Sequence, residues 1–300
     1  MLVLVLVVVF ILPTLYVHYR GKVRLKLHKQ LVNHSALLAP INVLYYACSK
    51  PPNQPFIDRS FFPDLQVLQD HWPVIRQEAE QLLNASVMKD EAEHDIGFNS
   101  FFKYGWRRFY LKWYGDSHPS AIQQCPTTVA LLEQVPSVKA AMFAMLPPGG
   151  RLNPHRDPYA GSLRYHLGMI TPNHDDCAIV VDGQAYSWRD GDDVIFDETF
   201  VHEAYNRTDQ NRLIFFADLE RPMRSRLVAG LNRWFSAHLM AAASSPNHRD
   251  DRTGVVNRMY RVVHRVDAWL SVLKRKNRPL FRTCKYVLIA LLLYLLLFTW

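Results

Sequence analysis

Residues 138–220 contain VKAAMFAML (138–146), PPGG (147–150), RLNPHRDPYAG (151–161), SLRYHLGMI (162–170), CAIVVDG (177–183), AYSWRD (185–190), DVIFDE (193–198), HEAYN (202–206) and RLIFFADLE (212–220). Short runs rich in β-branched and aromatic residues follow one another closely. Turn residues separate them, namely Pro147-Pro148-Gly149-Gly150, Asp182-Gly183 and Asp190-Gly191. No room is left for crossover helices, so the pattern predicts a mainly β sandwich or barrel rather than βαβ units. No internal repeat is visible. Upstream, Phe62, Leu65, Leu68, Trp72, Ile75, Ala79, Leu82 and Leu83 recur near a 3.6 period and predict a helix over 61–94. Aromatic residues crowd 101–114 and predict strand and loop beside a cleft, followed by a short helix at about 126–134.

Strand alternation assigns side chains to faces. In 162–170, Leu163, Tyr165, Leu167 and Met169 share an apolar face, while Ser162, Arg164, His166 and Gly168 share the other. Arg212 shares a face with Ile214 and Phe216. An arginine directed into a small barrel needs an anion, because an unpaired buried charge is very costly. Two arginines with a histidine fit a small dicarboxylate. A salt bridge to Asp157, Asp192, Asp193, Asp197 or Glu198 is the competing reading for either arginine.

His155 and Asp157 stand two residues apart, hence on one side of an extended segment that Pro154 and Pro158 keep from becoming helical. His202 follows at the start of a later strand. Two histidines and a carboxylate on one face of an octahedron are the ligand set of non-haem Fe(II) oxygenases. The HxD pair is a weak signal by itself. With a distant histidine and Arg212 ten positions beyond, it becomes far more specific.

Charge is divided along the chain. The net +8 resides in the flanks: residues 20–29 carry five cations and no acid, and residues 221–285 carry fifteen cations against three acids. The middle is acidic, so nucleic-acid binding loses its support. Four scattered cysteines argue against a disulfide framework or structural zinc. Leu2–Tyr19 is an uncharged apolar run that as a helix would span ~27 Å, and residues 286–300 form a shorter one of ~22 Å. Basic clusters adjoin both runs on their inward sides. They are therefore expected to anchor the chain in a membrane with the part between them in the cytoplasm, a core helix at each end being the alternative. Val255–Leu273 has the pattern of a basic amphipathic helix.

The segments HRDPYAGSLRYHLGMITP, YSWRDGDDVIFDETFVHEAYN and RLIFFADLERP resemble the aspartyl/asparaginyl β-hydroxylase family of 2-oxoglutarate oxygenases over about residues 95–222. The whole chain with its apolar ends is more similar still to the bacterial lipid A 2-hydroxylases. The resemblance implies a double-stranded β-helix (a jelly-roll or cupin-like core with packed helices) using Fe(II), 2-oxoglutarate and O2. His155 and His202 match the family's iron ligands. Arg164, His166 and Arg212 match positions that bind 2-oxoglutarate, with Arg212 on the distal carboxylate.

Two departures accompany it. Asp157 stands where the animal peptidyl enzymes have glycine, which implies an added carboxylate ligand. Ala144 stands where they have serine, leaving a carboxylate hydrogen bond absent or supplied by Ser162 or Tyr165. The resemblance further implies lipid A or its precursor as substrate, hydroxylated at C2 of a secondary acyl chain at the cytoplasmic face of a bacterial inner membrane. Peptidyl aspartyl/asparaginyl β-hydroxylation is the alternative. The expected organisation is a transmembrane anchor (1–19), a basic juxtamembrane linker (20–60), a catalytic dioxygenase domain (61–222), basic amphipathic helices (223–285) and a C-terminal membrane segment (286–300).

Overall fold

The computed structural model describes residues 7–31, 34–88, 99–102, 104–248, 250–259, 275–277 and 279–281. Among them ten strands form two antiparallel sheets. The strands are β1 (Phe56–Ile57), β2 (Arg107–Trp113), β3 (Val138–Leu146), β4 (Arg151–His155), β5 (Ser162–Ile170), β6 (Cys177–Val181), β7 (Gln184–Ser187), β8 (Asp193–Phe196), β9 (His202–Asn206) and β10 (Arg212–Glu220). One sheet has the order β1-β8-β5-β10-β3-β2 and the other β4-β9-β6-β7. From β3 onward the chain passes between the sheets so that β8-β5-β10-β3 faces β4-β9-β6-β7, which is jelly-roll connectivity. The β6–β7 hairpin turns on Asp182 (φ 50°) and Gly183 (φ 82°), two left-handed residues that match the strands' twist.

The larger sheet is covered on both faces. Its outer face carries Leu163, Tyr165, Leu167, Leu213 and Phe215 and packs against helices that precede the core. These include α3 (Trp72–Asn84) and α4 (Pro126–Glu133), where α1 (Leu12–Tyr19) and α2 (Ala39–Cys48) come earlier in the chain. Its inner face joins Trp106, Tyr110, Ile214 and Phe196 to Ile179 and Val181 of the smaller sheet. Burial on both faces explains why β3 is apolar from Ala140 to Leu146 instead of alternating. The predicted 61–94 helix is realised as short turns to Leu65, a helix Gln66–Asp70 and α3; residues 89–98 lie outside the described residues.

The expected anchor (1–19) lies partly outside the described residues, and from Val7 onward the N-terminal region makes contacts with the domain. No helix among the described residues is long and apolar enough to cross a membrane. Thr14, Val17 and His18 of α1 are buried. Val17 belongs to one buried cluster with Tyr45 and Tyr46 of α2, Tyr159, and Phe235 of α5 (Arg226–Phe235). Arg20 is not a free interfacial cation. Its guanidinium bonds Asp197 (2.5 Å), Thr199 (2.5 Å) and Asn53 (2.6 Å) between the rings of Tyr46 and Phe200. The next residues hold on too, since Lys22 and Val23 donate backbone N–H bonds to Asp182. A cluster of cations beside an apolar run does not reveal which one has a buried carboxylate waiting 177 residues downstream. The expected C-terminal membrane segment (286–300) and most of Val255–Leu273 lie outside the described residues.

Asp197 is fully buried between Arg20 and Arg221, which hold its carboxyl well below the usual range despite burial. Arg20→Ala is therefore expected to destabilise the fold by about 3 kcal/mol, the cost of breaking a buried ion pair, tempered by the remaining Arg221. Urea unfolding of the two proteins measures it.

Candidate active site

Strands β4 and β9 pair so that His155 lies directly opposite His202, with ring centroids 4.2 Å apart. Asp157, just beyond β4, brings its carboxylate to 3.4 Å from His155 Nε2. One ligand atom from each of the three lies within 4.8 Å of the others. Backbone carbonyls fix both rings: His155 Nδ1 is 2.9 Å from the oxygen of Asn153, and His202 Nδ1 is 3.1 Å from that of Phe200. With the proton held at Nδ1, the Nε2 lone pairs are left for a metal.

Asp157 is held by Arg164 of β5, whose NH2 lies 2.8 Å from it. The same guanidinium bonds Glu198 through Nε (2.6 Å) and NH2, and reaches Asp218 at 3.2 Å. Ser162 donates to Glu198 (2.7 Å) and Tyr114 to Asp218 (2.8 Å). Burial pushes the Asp157 carboxyl up, but the His155 contact and Arg164 together hold it well down, while burial raises that of Asp218. One arginine thus faces three carboxylates. The surplus negative charge beside two imidazoles suits a divalent cation, so the residues present fit Fe(II).

The donors of Arg164 that the resemblance assigns to 2-oxoglutarate are engaged here by these acids. Arg212 is different. It is fully buried on β10 between the rings of Trp106 (4.8 Å) and Trp188 (4.3 Å), and none of its three nitrogens has a hydrogen-bond partner among the described residues. Burial pushes its pKa down to about 10. His166, on the same inner face, accepts from Trp188 Nε1 (3.3 Å) and leaves Nε2 without a partner. A buried cation and an imidazole nitrogen both lacking partners fit a dicarboxylate cosubstrate. Tyr165 points to the opposite face and bonds Asp193 (3.1 Å), and the Ser162 hydroxyl is spent on Glu198. Neither replaces the serine lost at Ala144.

A cavity of about 220 Å³ joins the three ligand-bearing residues to Phe101, Trp113, Met142 and Leu152. Trp106 and Phe101, expected beside a cleft, pack edge to face in its wall (5.4 Å), and Phe101 also meets the His155 ring (6.0 Å). Sequence reasoning did not single out Asp218, although it alternates onto the face of Arg212, Ile214 and Phe216. Nor did it give a role to Trp188 or Tyr114.

Burial makes His202 and His166 hard to charge. The His202 pKa falls to about 3, helped by neighbouring His155, and that of His166 falls well below normal, helped by Arg212. Both have folded pKa values below the unfolded ~6.5, so their stabilising contribution is full above that pH and is lost as pH falls. His155 has the opposite sign, because Asp157 raises its pKa against burial. Chelator-stripped protein should therefore lose stability as pH falls from roughly 6 to 4, by up to about 1.4 kcal/mol per pH unit from His202, with His166 adding in the same direction and His155 opposing. Urea midpoints across that range measure this.

Fold and site together define a jelly-roll protein in which two histidines and one carboxylate come together as a candidate metal site. The chain belongs to the aspartyl/asparaginyl β-hydroxylase family, whose profile matches residues 69–222. It is 36% identical over 181 residues to the ornithine lipid ester-linked acyl 2-hydroxylase of Rhizobium tropici, covering 59% of this chain and 64% of that one. Identity to human aspartyl/asparaginyl β-hydroxylase is 28% over 164 residues, 52% of this chain and 21% of the human one. The chain thus spans less than two thirds of either relative. Among solved structures, a Pseudomonas putida prolyl-4-hydroxylase aligns at 17% identity and a TM-score of 0.33, covering 50% of this chain and 88% of that one.

Proposed function

We propose that the protein is an Fe(II)/2-oxoglutarate-dependent dioxygenase that hydroxylates C2 of a secondary acyl chain of lipid A or its precursor, at the cytoplasmic face of a bacterial inner membrane. The observation that carries the lipid reading is the cavity: away from the ligand residues and the polar group of Ser162, Arg164, His166, Glu198 and Asp218, its walls are aromatic and aliphatic. A methylene chain gains from such a surface, whereas a peptide carboxylate or amide needs polar partners. The Rhizobium relative is named for 2-hydroxylation of a lipid's ester-linked acyl chain, the same carbon in the same chemical setting.

The residues divide the work. His155, Asp157 and His202 would hold Fe(II), and Arg164 keeps the Asp157 carboxylate turned toward the two imidazoles. Arg212 would bind the far carboxylate of 2-oxoglutarate by charge-assisted hydrogen bonds, with His166 presenting its free nitrogen beside it. Trp106 and Trp188 screen that cation from water, which strengthens its hold on an anion. Phe101, Trp113 and Met142 would take the acyl chain. The bound metal and cosubstrate supply the oxidation: one oxygen atom of O2 enters the substrate C–H bond and the other enters succinate, with loss of CO2.

Mass spectrometry of lipid A from cells with and without the gene tests the assignment. The expected result is the mass of one added oxygen confined to a secondary acyl chain. An unchanged lipid A with an oxidised aspartyl or asparaginyl peptide would favour the peptidyl reading instead. Oxidation of an ornithine lipid alone would keep the chemistry and change the substrate.

A further inference from the structure

Helix α5 is apolar on more of its circumference than the domain covers. Val228, Ala229 and Phe235 pack inward, with Phe235 stacked on Tyr159 at 5.0 Å. Asn232 is buried and donates to the Gly161 carbonyl (2.9 Å). Leu227 (87% exposed), Leu231 (39%) and Trp234 (57%) face out instead. They stand at i, i+4 and i+7 and form one stripe. Arg226 and Arg233 lie on the adjoining face, both exposed, Arg233 also reaching Glu220 at 3.3 Å, with Arg224 exposed just before the helix. Leu239 (52%) continues the exposed apolar surface in the following turn.

The same stretch leads into the catalytic cavity. Met240 and Ala243 line it, and the Met240 carbonyl accepts a bond from the cavity residue Trp113 (2.8 Å). Helix α1 belongs to the same buried cluster through Val17, and its first residue Leu12 and the preceding Phe10 and Ile11 are likewise exposed. Exposed leucine and tryptophan beside arginine match a helix lying in the headgroup plane of a bilayer carrying negative charge. A soluble partner with a matching groove would not need the flanking cations.

We propose that Leu227, Leu231 and Trp234, flanked by Arg226 and Arg233, form a docking ridge for an anionic lipid bilayer and bring the cavity rim of Met240 and Ala243 to the level of the acyl chains. The second half of this assignment rests on the lipid reading of the cavity. The first half does not.

Full-length protein reconstituted in phosphatidylglycerol/phosphatidylethanolamine vesicles tests it, with and without bromine on the acyl chains. Because the terminal apolar segments can hold the chain on the vesicle by themselves, the readout must be local to the ridge. Bromolipid should quench wild-type tryptophan emission, and Trp234→Phe should remove the quenched component while the protein stays on the vesicle. Leu227→Glu with Leu231→Glu should abolish Trp234 quenching and lower turnover of vesicle-borne substrate about tenfold relative to detergent-dispersed substrate. Trp234 emission indifferent to bromolipid on vesicle-bound protein would overturn the proposal. So would a lipid-free dimer that Leu231→Glu dissociates, since the ridge would then join copies of the chain. Quenching requires no turnover, so it stands or falls apart from the hydroxylation assay.

Discussion

His202→Ala is expected to lose metal binding and turnover together, with Mn(II) or Co(II) affinity falling by more than about 100-fold. Even the outer hydrogen-bond partners of metal ligands cost about 10–100-fold when removed, and His202 is itself placed as a ligand. Its imidazole is buried and its pKa lies near 3, so at neutral pH no proton has to leave before an ion is bound. The Phe200 carbonyl fixes the ring at Nδ1, and the opposing His155 is fixed in the same way by Asn153. The alanine variant would keep one imidazole and one carboxylate, too few for a facial site. Calorimetric titration with Mn(II) and succinate release from 2-oxoglutarate measure the two effects. His174→Ala, an exposed histidine away from the cavity, should match wild type in both. Wild-type metal affinity in His202→Ala would remove the metal centre from β4 and β9.

Much of this centre was legible because strands obey a period of two. The alternation that put Arg164 and His166 opposite Tyr165 and Leu167 is the alternation observed, and it carried Arg212 inward with Ile214 and Phe216. The HxD pair and the later histidine could be linked because both were assigned to extended segments. Their direct cross-strand pairing was not visible, since register depends on loops whose geometry a short motif does not encode. The engagement of Arg164 was not decided either. Its carboxylate partners come from β10 and from the segments after β4 and β8, and only the closed jelly roll brings them to one guanidinium.

The N-terminal region shows the same limit at longer range. Arg20 looked like one of five equivalent cations because nothing local distinguishes it. Asp197, its partner, sits in the loop that leads to Phe200 and His202. Arg20 and Tyr46 therefore support the loop carrying a candidate ligand, although the family match begins only at residue 69. Hydrophobicity marked the start of this region correctly as apolar. It could not show that part of the apolar surface packs on the protein's own domain.

Arg212→Met should have opposite effects on two properties of the same protein. In the wild type the guanidinium is fully buried and lacks hydrogen-bond partners, held only by two tryptophan rings. Replacing it with a side chain of similar length removes a desolvated charge, so without cosubstrate the variant is expected to be more stable by about 1–3 kcal/mol. Cosubstrate binding should fall sharply. Each hydrogen bond from a charged donor is worth about 1.5–3 kcal/mol, so losing two raises the 2-oxoglutarate KM by about 100-fold or more. Metal affinity should change little, because His155, Asp157 and His202 are untouched. Thermal unfolding with and without 2-oxoglutarate separates these effects: wild type should start lower and rise with ligand, and Arg212→Met should start higher and stay flat. A variant that is less stable alone and still rises with 2-oxoglutarate would mean that the Arg212 charge is satisfied within the protein and that the cosubstrate binds elsewhere.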